Sequence, residues 1–305
     1  MATDLADRIL HRDTLRFAWR RVEANRGLPG ADGVSIARFR LRLEENLLTL
    51  ADEVRDGTYQ PGPVRRTSIL TGTTRRTISI LPVRDRVLQR AALDVLTPVI
   101  DPTFLPCSFG YRPHRSLYDA VERIVHLRDR GLTWVVDADV RDCFGSLDHR
   151  LLTRFITEAA PDPTVARLLT AWIAPPRRNG RPPPVRGIPL GAPISPLLCN
   201  LYLHRLDRGL RRRSLQSVRY ADDFVLLCKS EFQAEFALRA TEKMLGGLEL
   251  ALHPIKTRLV SFDDGFDFLG VRFEGSDYSY QVDGKRITVD HLPPEYFYYH
   301  ADGYE

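Results

Sequence analysis

Apolar residues recur every three or four positions over much of this chain, and that period predicts amphipathic helices. The first two lie at residues 4–26 and 35–56, and Ser35 is a suitable N-cap for the second. Further helical periods follow at 83–100, 115–130, 148–159, 164–173, 195–210 and 232–248. A segment rich in proline and arginine at 175–184 interrupts them and predicts a loop.

Shorter apolar runs predict β-strands between these helices. Residues 64–70 and 76–81 predict a hairpin with arginines at its tip. A strand at 133–140 and a second hairpin at 216–228 come next, and short strands are predicted at 249–252, 257–262 and 266–273. Because the helices do not alternate strictly with the strands, we expect an α+β layer architecture.

The composition is that of a globular protein with a basic balance. The 305 residues are 43% hydrophobic and 27% charged, and the formal net charge is +5. Only 4 of the 44 basic residues are lysines. Arginine binds phosphate through two parallel hydrogen bonds, so its clusters suit a polyanionic partner, although a coding bias toward arginine explains much of the count.

The sequence offers no sign of a membrane or secreted protein. No apolar stretch reaches the length of a membrane span and no signal peptide opens the chain, so we expect a cytoplasmic protein with no membrane partner. The four cysteines are widely spaced and form no CxxC pair. Neither a zinc site nor a disulfide framework is therefore predicted.

Two adjacent acids stand between two apolar segments. Tyr220-Ala221-Asp222-Asp223 separates residues 215–218 from residues 224–227, which predicts a strand, a tight turn and a second strand. A buried hairpin gains nothing from adjacent acids, because each carboxylate resists burial unless it is paired or bound to a cation. The sequence therefore predicts a divalent metal site at this turn.

A third carboxylate lies upstream, on the predicted strand 133–140. Alternation places Asp137 and Asp139 on the same face of that strand. Asp139, Asp222 and Asp223 would supply enough hard oxygen ligands for two Mg²⁺ ions. Two such ions about 4 Å apart clamp the attacking and leaving oxygens of a phosphoryl displacement. Taken singly, each of these acids could instead be a turn or cap residue.

Taken in order along the chain, these motifs resemble those of reverse transcriptases of the bacterial lineage that includes group II intron-encoded proteins. The resemblance covers residues 15 to 273. Its segments are 25–34, 57–66, 81–90, 107–116, 139–144, 187–200 and 220–223, with Lys256-Thr257 and Phe268-Leu269-Gly270. It implies right-hand polymerase fingers and palm, the palm being an antiparallel sheet with helices packed on one face.

The resemblance also implies roles for single residues. Asp139, Asp222 and Asp223 would be catalytic and would hold two Mg²⁺ ions, or Mn²⁺ in their place, with the backbone carbonyl of Val140 nearby. The residues implied to contact the dNTP are Arg76 at the triphosphate, Phe144 against a 2′-hydroxyl, Lys256 near the pyrophosphate, Leu190 and Gly191. Nucleic-acid contacts would come from Arg66, Arg75, Arg112, Arg115 and Tyr220.

Two positions depart from the family pattern. Pro189-Leu190-Gly191 stands where the family usually has Pro-Gln-Gly, and a leucine side chain cannot hydrogen-bond to template or nucleotide. Apolar residues occur there in diversity-generating reverse transcriptases of low fidelity, and Leu-Gly variants occur in CRISPR-associated members. The family's fingertip lysine would fall at Leu70, where Arg75 or Arg66 can substitute.

The predicted domains are an N-terminal extension with fingers at 1–132, a palm at 133–273 with a fingers-like insert around 160–190, and a short tail at 274–305. Because the family's helical thumb needs more residues than this tail has, we expect it to be absent or rudimentary. The implied function is RNA-directed DNA polymerisation, which adds dNTPs to a DNA or RNA primer on an RNA template. The expected setting is CRISPR spacer acquisition beside an integrase partner, or another bacterial mobile or defence system.

Two alternatives stay open on the sequence. The chain can be a nucleic-acid-binding scaffold within an integrase or defence assembly, inactive alone. Intact acids at 139, 222 and 223 argue against that reading, because a pure binder has no need of carboxylates facing phosphates. The chain can also be a low-fidelity, diversity-generating enzyme.

Overall fold

The structure, a computed structural model, describes residues 5–71, 74–160, 162–176, 184–282 and 285–289. Its helices are α1 (Leu5–Leu10), α2 (Arg12–Ala24), α3 (Ile36–Arg40), α4 (Leu43–Arg55), α5 (Val83–Ile100), α6 (Leu117–Asp129), α7 (Cys143–Ser146), α8 (His149–Ala159), α9 (Pro163–Ile173), α10 (Ser195–Arg212) and α11 (Glu231–Gly247). Its strands are β1 (Arg65–Thr71), β2 (Thr74–Ile80), β3 (Trp134–Asp139), β4 (Gln216–Tyr220), β5 (Asp223–Cys228), β6 (Arg258–Ser261), β7 (Phe266–Phe268), β8 (Val271–Glu274), β9 (Asp277–Val282) and β10 (Lys285–Val289). Among these residues, no helix combines the length and the apolar character that crossing a bilayer requires.

Local capping splits two of the predicted helices. α2 begins after His11, whose side chain accepts a hydrogen bond from the Asp13 amide, so the segment 4–26 is two helices. Ser35 caps α3 by accepting from the Arg38 amide, but α3 ends at Arg40 and α4 starts afresh at Leu43. Both halves of each segment nevertheless pack against the same helix, α5, which is why apolar residues continue through the breaks.

The chain divides into two compact units, each made of two separate stretches. The first unit comprises Met1–Thr103 and Phe144–Tyr202, and the second comprises Phe104–Cys143 and Leu203–Glu305. The predicted ranges 1–132 and 133–273 follow the chain order, whereas the folded chain leaves the first unit after residue 103 and returns to it at residue 144.

The first unit is built around the long helix α5. This helix packs against α1, α2, α3 and α4, and it buries apolar side chains such as Val87, Leu88 and Ala91 completely. α8 packs against α9, which also contacts α1. Each large apolar side chain withdrawn from water stabilises the unit by about 1.5–3 kcal/mol.

The hairpin of β1 and β2 in the first unit is fully paired but little buried. Its register runs from Arg65 opposite Ile80 to Thr71 opposite Thr74, which confirms the hairpin predicted from the sequence. Leu70 is 76% exposed, and burial begins only at the base, at Ile80.

The second unit contains an antiparallel sheet with strand order β4-β5-β3-β6. Val135 and Val225 lie on one face of this sheet, where they join a buried cluster with side chains of α6. On the other face, Arg219 of β4 pairs with Asp207 of α10. Helices therefore cover both faces, where the resemblance led us to expect one. The reason is that β5 is apolar and buried along almost its whole length, so it needs cover on both sides.

A second antiparallel sheet, β10-β9-β8-β7, completes the second unit. The strand predicted at 266–273 is instead a hairpin, turned by Leu269 and Gly270 at φ 54° and 78°. Residues 249–252 are not a strand, since only Leu252 forms an isolated bridge, with Val140. The region predicted as a tail contributes β9 and β10 to this sheet, and its remaining residues 290–305 lie outside the described part of the chain.

Candidate active site

The turn between β4 and β5 carries the two adjacent acids. β4 ends at Tyr220, which lies opposite Asp223 at the start of β5, so Ala221 and Asp222 form a two-residue turn. Ala221 has a φ of 57°, a left-handed conformation of the type that two-residue hairpin turns use. The strand–turn–strand arrangement predicted from the sequence is confirmed.

β3 brings the third acid next to this turn. Asp139 lies directly opposite Asp223 in the antiparallel register of β3 and β5. Residues that face each other in this way share one face of the sheet, with Cβ atoms about 4.5–5.5 Å apart. Asp137 lies on the same face, two residues earlier in β3. Acids that are 84 residues apart in the sequence thus come together at one end of one sheet.

Carboxylates at this end of the sheet disfavour one another's charged forms. Burial, reinforced by the neighbouring carboxylates of Asp139 and Asp222, raises the pKa of Asp223 to about 7. The ammonium of Lys256 opposes that rise. Negative charge is therefore concentrated at the β4–β5 turn and the end of β3.

Two cations from the segment after α11 pair with the acids of β3. Lys256 Nζ lies 3.2 Å from Asp139 Oδ2, and Arg258 donates to Asp137 Oδ2 at 2.8 Å. The Lys256 side chain is 62% exposed, whereas Asp139 is 14% exposed. Lys256 therefore lies beside a candidate metal ligand, and its contact with a leaving pyrophosphate stays a prediction.

The donor set suits a hard divalent cation, although the described residues include no three His, Cys, Asp or Glu side chains already grouped as a metal site. The carboxylate of Asp139 is instead turned toward Lys256. A bound cation would relieve the repulsion that raises the pKa of Asp223, and carboxylate oxygens are the ligands that Mg²⁺ prefers. Val140, whose carbonyl was expected nearby, directly follows β3 and is buried. The residues present thus fit Mg²⁺ or Mn²⁺.

The dNTP-facing residues predicted in the first unit are linked through its main chain. Ser79 of β2 donates to the Leu190 carbonyl at 2.7 Å. Gly191 has a φ of 96°, and a Cβ there would lie 3.1 Å from the Ser79 carbonyl, so only glycine fits without strain. The Phe144 carbonyl accepts a hydrogen bond at 2.8 Å from the amide two residues before Leu190. Arg76 lies on β2 three residues before Ser79, and its side chain lies outside the described part of the structure.

Three of the predicted nucleic-acid contacts lie on the two hairpins. Arg66 on β1 is exposed, as a phosphate-binding side chain must be. The side chain of Arg75 lies outside the described part of the structure. Tyr220 is half-buried and packs against the apolar cluster of the second unit.

The other two predicted contacts, Arg112 and Arg115, hold their own loop together. Arg112 is only 8% exposed and donates to the carbonyls of Leu105 and Ser108, both at 2.8 Å. Arg115 donates to the Pro106 carbonyl at 2.9 Å and remains half-buried. These bonds account for the position of Arg112, so we leave it out of the nucleic-acid surface proposed below.

The sequence did not predict the role of the residues behind the turn that carries Asp222. Arg219 and Asp207 form an ion pair in which each side chain is 1% exposed. At Gly110, an added Cβ would lie 2.5 Å from the Ala221 amide nitrogen, so this loop touches the turn closely. A signal was present: Asp207 interrupts the apolar face of α10, and Arg219 interrupts the buried strand β4.

An antiparallel sheet with a carboxylate at the end of one strand and two more at the adjoining hairpin turn defines the palm of a nucleic-acid polymerase. Residues 64–273 match the family described as reverse transcriptase (RNA-dependent DNA polymerase). The chain therefore belongs to the reverse transcriptase family, within its group II intron-like lineage, and is an RNA-directed DNA polymerase.

Individual relatives agree with this assignment. Protein YkfC of Escherichia coli K12 is 31% identical over 313 residues, covering 88% of this chain and 80% of that protein. The group II intron-encoded protein LtrA of Lactococcus lactis subsp. cremoris is 30% identical over 244 residues, covering 76% of this chain but 37% of LtrA. A solved telomerase of Candida albicans shares the fold alone, at 14% identity and a TM-score of 0.54, over 71% of this chain and 46% of that one.

Proposed function

We propose that Asp139, Asp222 and Asp223 form the catalytic metal site of this polymerase. The observation that carries the proposal is the pairing of Asp139 opposite Asp223, next to the turn that bears Asp222. Two divalent cations held there would activate a primer 3′-hydroxyl toward the α-phosphorus of a dNTP and stabilise the departing pyrophosphate. The protein's part is to hold three carboxylates in place before substrate arrives, so that little reorganisation remains for the reaction.

We further propose Arg76, Phe144, Leu190 and Gly191 as residues that contact the dNTP. For Lys256, which lies beside Asp139, we propose a contact with the pyrophosphate. The main-chain bonds that link the Phe144 and Leu190 segments, and Leu190 to β2, support a common surface for the first four. The guanidinium of Arg76 would neutralise triphosphate charge. The ring of Phe144 would exclude a 2′-hydroxyl and so favour dNTPs over rNTPs.

For nucleic-acid binding we propose Arg66, Arg75 and Arg115 as phosphate contacts, with Tyr220 beside the primer end. Contacts to phosphate and sugar give affinity without reading sequence, which suits a polymerase that copies any template. The net charge of +5 favours the same class of ligand. An A-form RNA·DNA hybrid would be recognised mainly through its shape and its 2′-hydroxyls.

For the biological setting we propose spacer acquisition in a CRISPR system, beside an integrase, or another bacterial mobile or defence system. The support is the Leu190-Gly191 pair, which resembles CRISPR-associated members of the family. Affinity purification of the tagged chain from its own host tests this: recovery of an integrase together with spacer-like cDNA supports it. Recovery of a spliced intron RNA would point to intron mobility instead.

The chemistry is tested by extension of a DNA primer on an RNA template with purified protein. Asp222→Ala should reduce Mg²⁺-dependent dNTP incorporation to background, because it removes a ligand from the turn. Asp263→Ala, which removes an exposed carboxylate elsewhere in the second unit, should leave incorporation unchanged. Incorporation by Asp222→Ala at the wild-type rate would refute the metal site.

The same assay separates the two alternative functions. A wild-type chain that binds the hybrid tightly but never extends it, even with its partners, would be a scaffold. Sequencing of the cDNA product tests the diversity-generating alternative, which requires errors concentrated at template adenines.

A further inference from the structure

Behind the turn of Ala221 and Asp222 lies the guanidinium of Arg219, which donates hydrogen bonds from all three of its nitrogens. Arg219 donates from Nε to Asp207 Oδ1 at 2.9 Å and from Nη2 to Asp207 Oδ2 at 2.6 Å. Nη2 also donates to Ser108 Oγ at 2.8 Å, and Nη1 donates to the carbonyl of Ala221 at 2.8 Å. Arg219 thus connects a residue of the turn itself to two residues behind it.

The main chain of Arg219 is fixed as firmly as its side chain. Its amide donates to the Cys107 carbonyl and its carbonyl accepts from the Phe109 amide, both at 2.8 Å. Its side chain points to the face of the sheet opposite Asp223, because consecutive strand residues alternate. Arg219 is therefore not a candidate to touch substrate from that position, and any effect on chemistry must pass through the turn.

The turn needs such support because of its backbone conformation. Ala221 is held at φ 57°, in the left-handed region that non-glycine residues adopt rarely and under strain. A change in the backbone dihedral angles of Ala221 would rotate the following peptide and move both Asp222 and Asp223. A donor fixed on the Ala221 carbonyl opposes that rotation.

An apolar pair would fill the same space without any need to bury charge. Burying an ion pair costs desolvation on both partners, and replacing such a pair by apolar side chains is often neutral or stabilising. Both side chains of the Arg219–Asp207 pair are 1% exposed, so a contribution to folding stability alone does not explain why charged residues occupy these positions. Only a planar guanidinium can bind a carboxylate with two bonds and still reach a carbonyl and a hydroxyl.

We propose that Arg219, oriented by Asp207 and Ser108, is a positioning residue that fixes the turn bearing Asp222 and Asp223 in its metal-binding conformation. The inference rests on the proposed metal role of those two acids. When Arg219 is absent, the turn samples other conformations, and divalent cations bind it more weakly although the fold persists.

The test replaces both charged residues at once, with Arg219→Met and Asp207→Leu in one double variant. Urea unfolding reports whether the fold is retained, and electron paramagnetic resonance measures the Kd for Mn²⁺ without any substrate. We expect unfolding at or above the wild-type midpoint, and a Kd for Mn²⁺ raised at least tenfold. The Mg²⁺ concentration for half-maximal incorporation should rise by a similar factor, while the Kd for primer–template stays within twofold. A stable double variant with the wild-type Kd for Mn²⁺ would overturn the proposal.

Ser108→Ala keeps the inference testable if the double variant does not fold. This change removes one acceptor of Nη2 and leaves the ion pair in place, so the fold should be preserved. We expect a two- to fivefold rise in the Kd for Mn²⁺, and an unchanged Kd would count against positioning. Asp222→Ala measured alongside separates the two hypotheses. If Asp222→Ala also binds Mn²⁺ normally, the metal site itself is misassigned, whereas loss in Asp222→Ala alone would refute only the role of Arg219.

Discussion

The hairpin β1–β2 of the first unit and the hairpin β4–β5 of the second are built in opposite ways. In β4–β5, every residue of β5 after Asp223 is buried, and the turn is held by Arg219 and touched by the loop at Gly110. In β1–β2, the strands pair over their full length but bury little beyond Ile80. A metal site needs ligands that are fixed before the reaction, whereas a strand pair that contacts a moving nucleotide or template gains from being free to adjust.

The exposed hairpin is nevertheless fixed at its base. Asp85 of α5 is fully buried and accepts hydrogen bonds from Tyr59 Oη at 2.8 Å and from the Gly62 amide at 2.7 Å. Tyr59 Oη in turn accepts from Trp172 Nε1 at 3.0 Å. Tyr59 and Gly62 precede β1, and Asp85 follows β2. Their hydrogen bonds therefore lie where the hairpin joins the helices of the first unit, and not at its tip.

Gly110→Ala should produce the largest effect, because the loop at Gly110 lies closely against the turn of Ala221 and Asp222. The new methyl group would lie 2.5 Å from the Ala221 amide nitrogen, and the backbone cannot give way without moving the turn. We expect a loss of about 1–3 kcal/mol of unfolding free energy from overpacking. Incorporation should fall more than tenfold in the primer-extension assay.

Gly246→Ala is the matched control for that variant. Nothing lies within 4 Å of a Cβ at Gly246 in α11, so we expect unchanged activity and up to about 1 kcal/mol of added stability. Equal losses in the two variants would mean that crowding at the turn does not matter.

Amide hydrogen exchange of the wild-type protein should sharpen the comparison of the two hairpins. We expect the amides of β5 to open only with a free energy near that of global unfolding. Those of β1 should open at a cost lower by about 2 kcal/mol or more, because few buried side chains hold that strand. Equal protection in both hairpins would remove the distinction between a fixed and an adaptable element.

The smallest effect concerns pH and the anchor at the base of the exposed hairpin. Burial raises the pKa of Asp85 above that of an unfolded aspartate. The protonated carboxyl therefore favours the folded state: this stability is fully present below the unfolded pKa and is lost as pH rises through the folded pKa. Relative to Asp85→Asn, which does not titrate, the wild-type unfolding free energy should decline in urea titrations as pH rises above the pKa of an unfolded aspartate, about 3.9. A constant difference, or a rising one, would contradict the raised pKa.

Sequence reasoning located the turn that carries the two adjacent acids, because acids between apolar strands are conspicuous. The doublet Asp222-Asp223 between two apolar runs predicted the hairpin, and alternation in β3 placed Asp139 on a definite face. The pairing of that strand with β5 was not predicted, since no local pattern specifies which strands become neighbours.

The parts that escaped prediction depend on partners distant in the sequence. The hydrogen bond between Arg219 and Ser108 joins residues 111 positions apart, and no periodic pattern in the sequence predicts it. The segments of β9 and β10 were predicted as part of a tail, because they become strands only when β9 pairs with β8 and β10 pairs with β9. The burial of Arg112 depends likewise on how its loop folds back, so the sequence did not predict its hydrogen bonds to carbonyls of that loop.

The most direct test of the proposed metal centre is Mn²⁺ binding to the purified chain, compared between wild type, Asp139→Asn and Asp263→Asn. If β3 and the β4–β5 turn share their cations, Asp139→Asn should raise the Kd for Mn²⁺ at least tenfold, and Asp263→Asn should leave it within twofold of wild type. Wild-type affinity in Asp139→Asn would contradict the account, because the acid on β3 and the acids on the turn would then not act on the same ions.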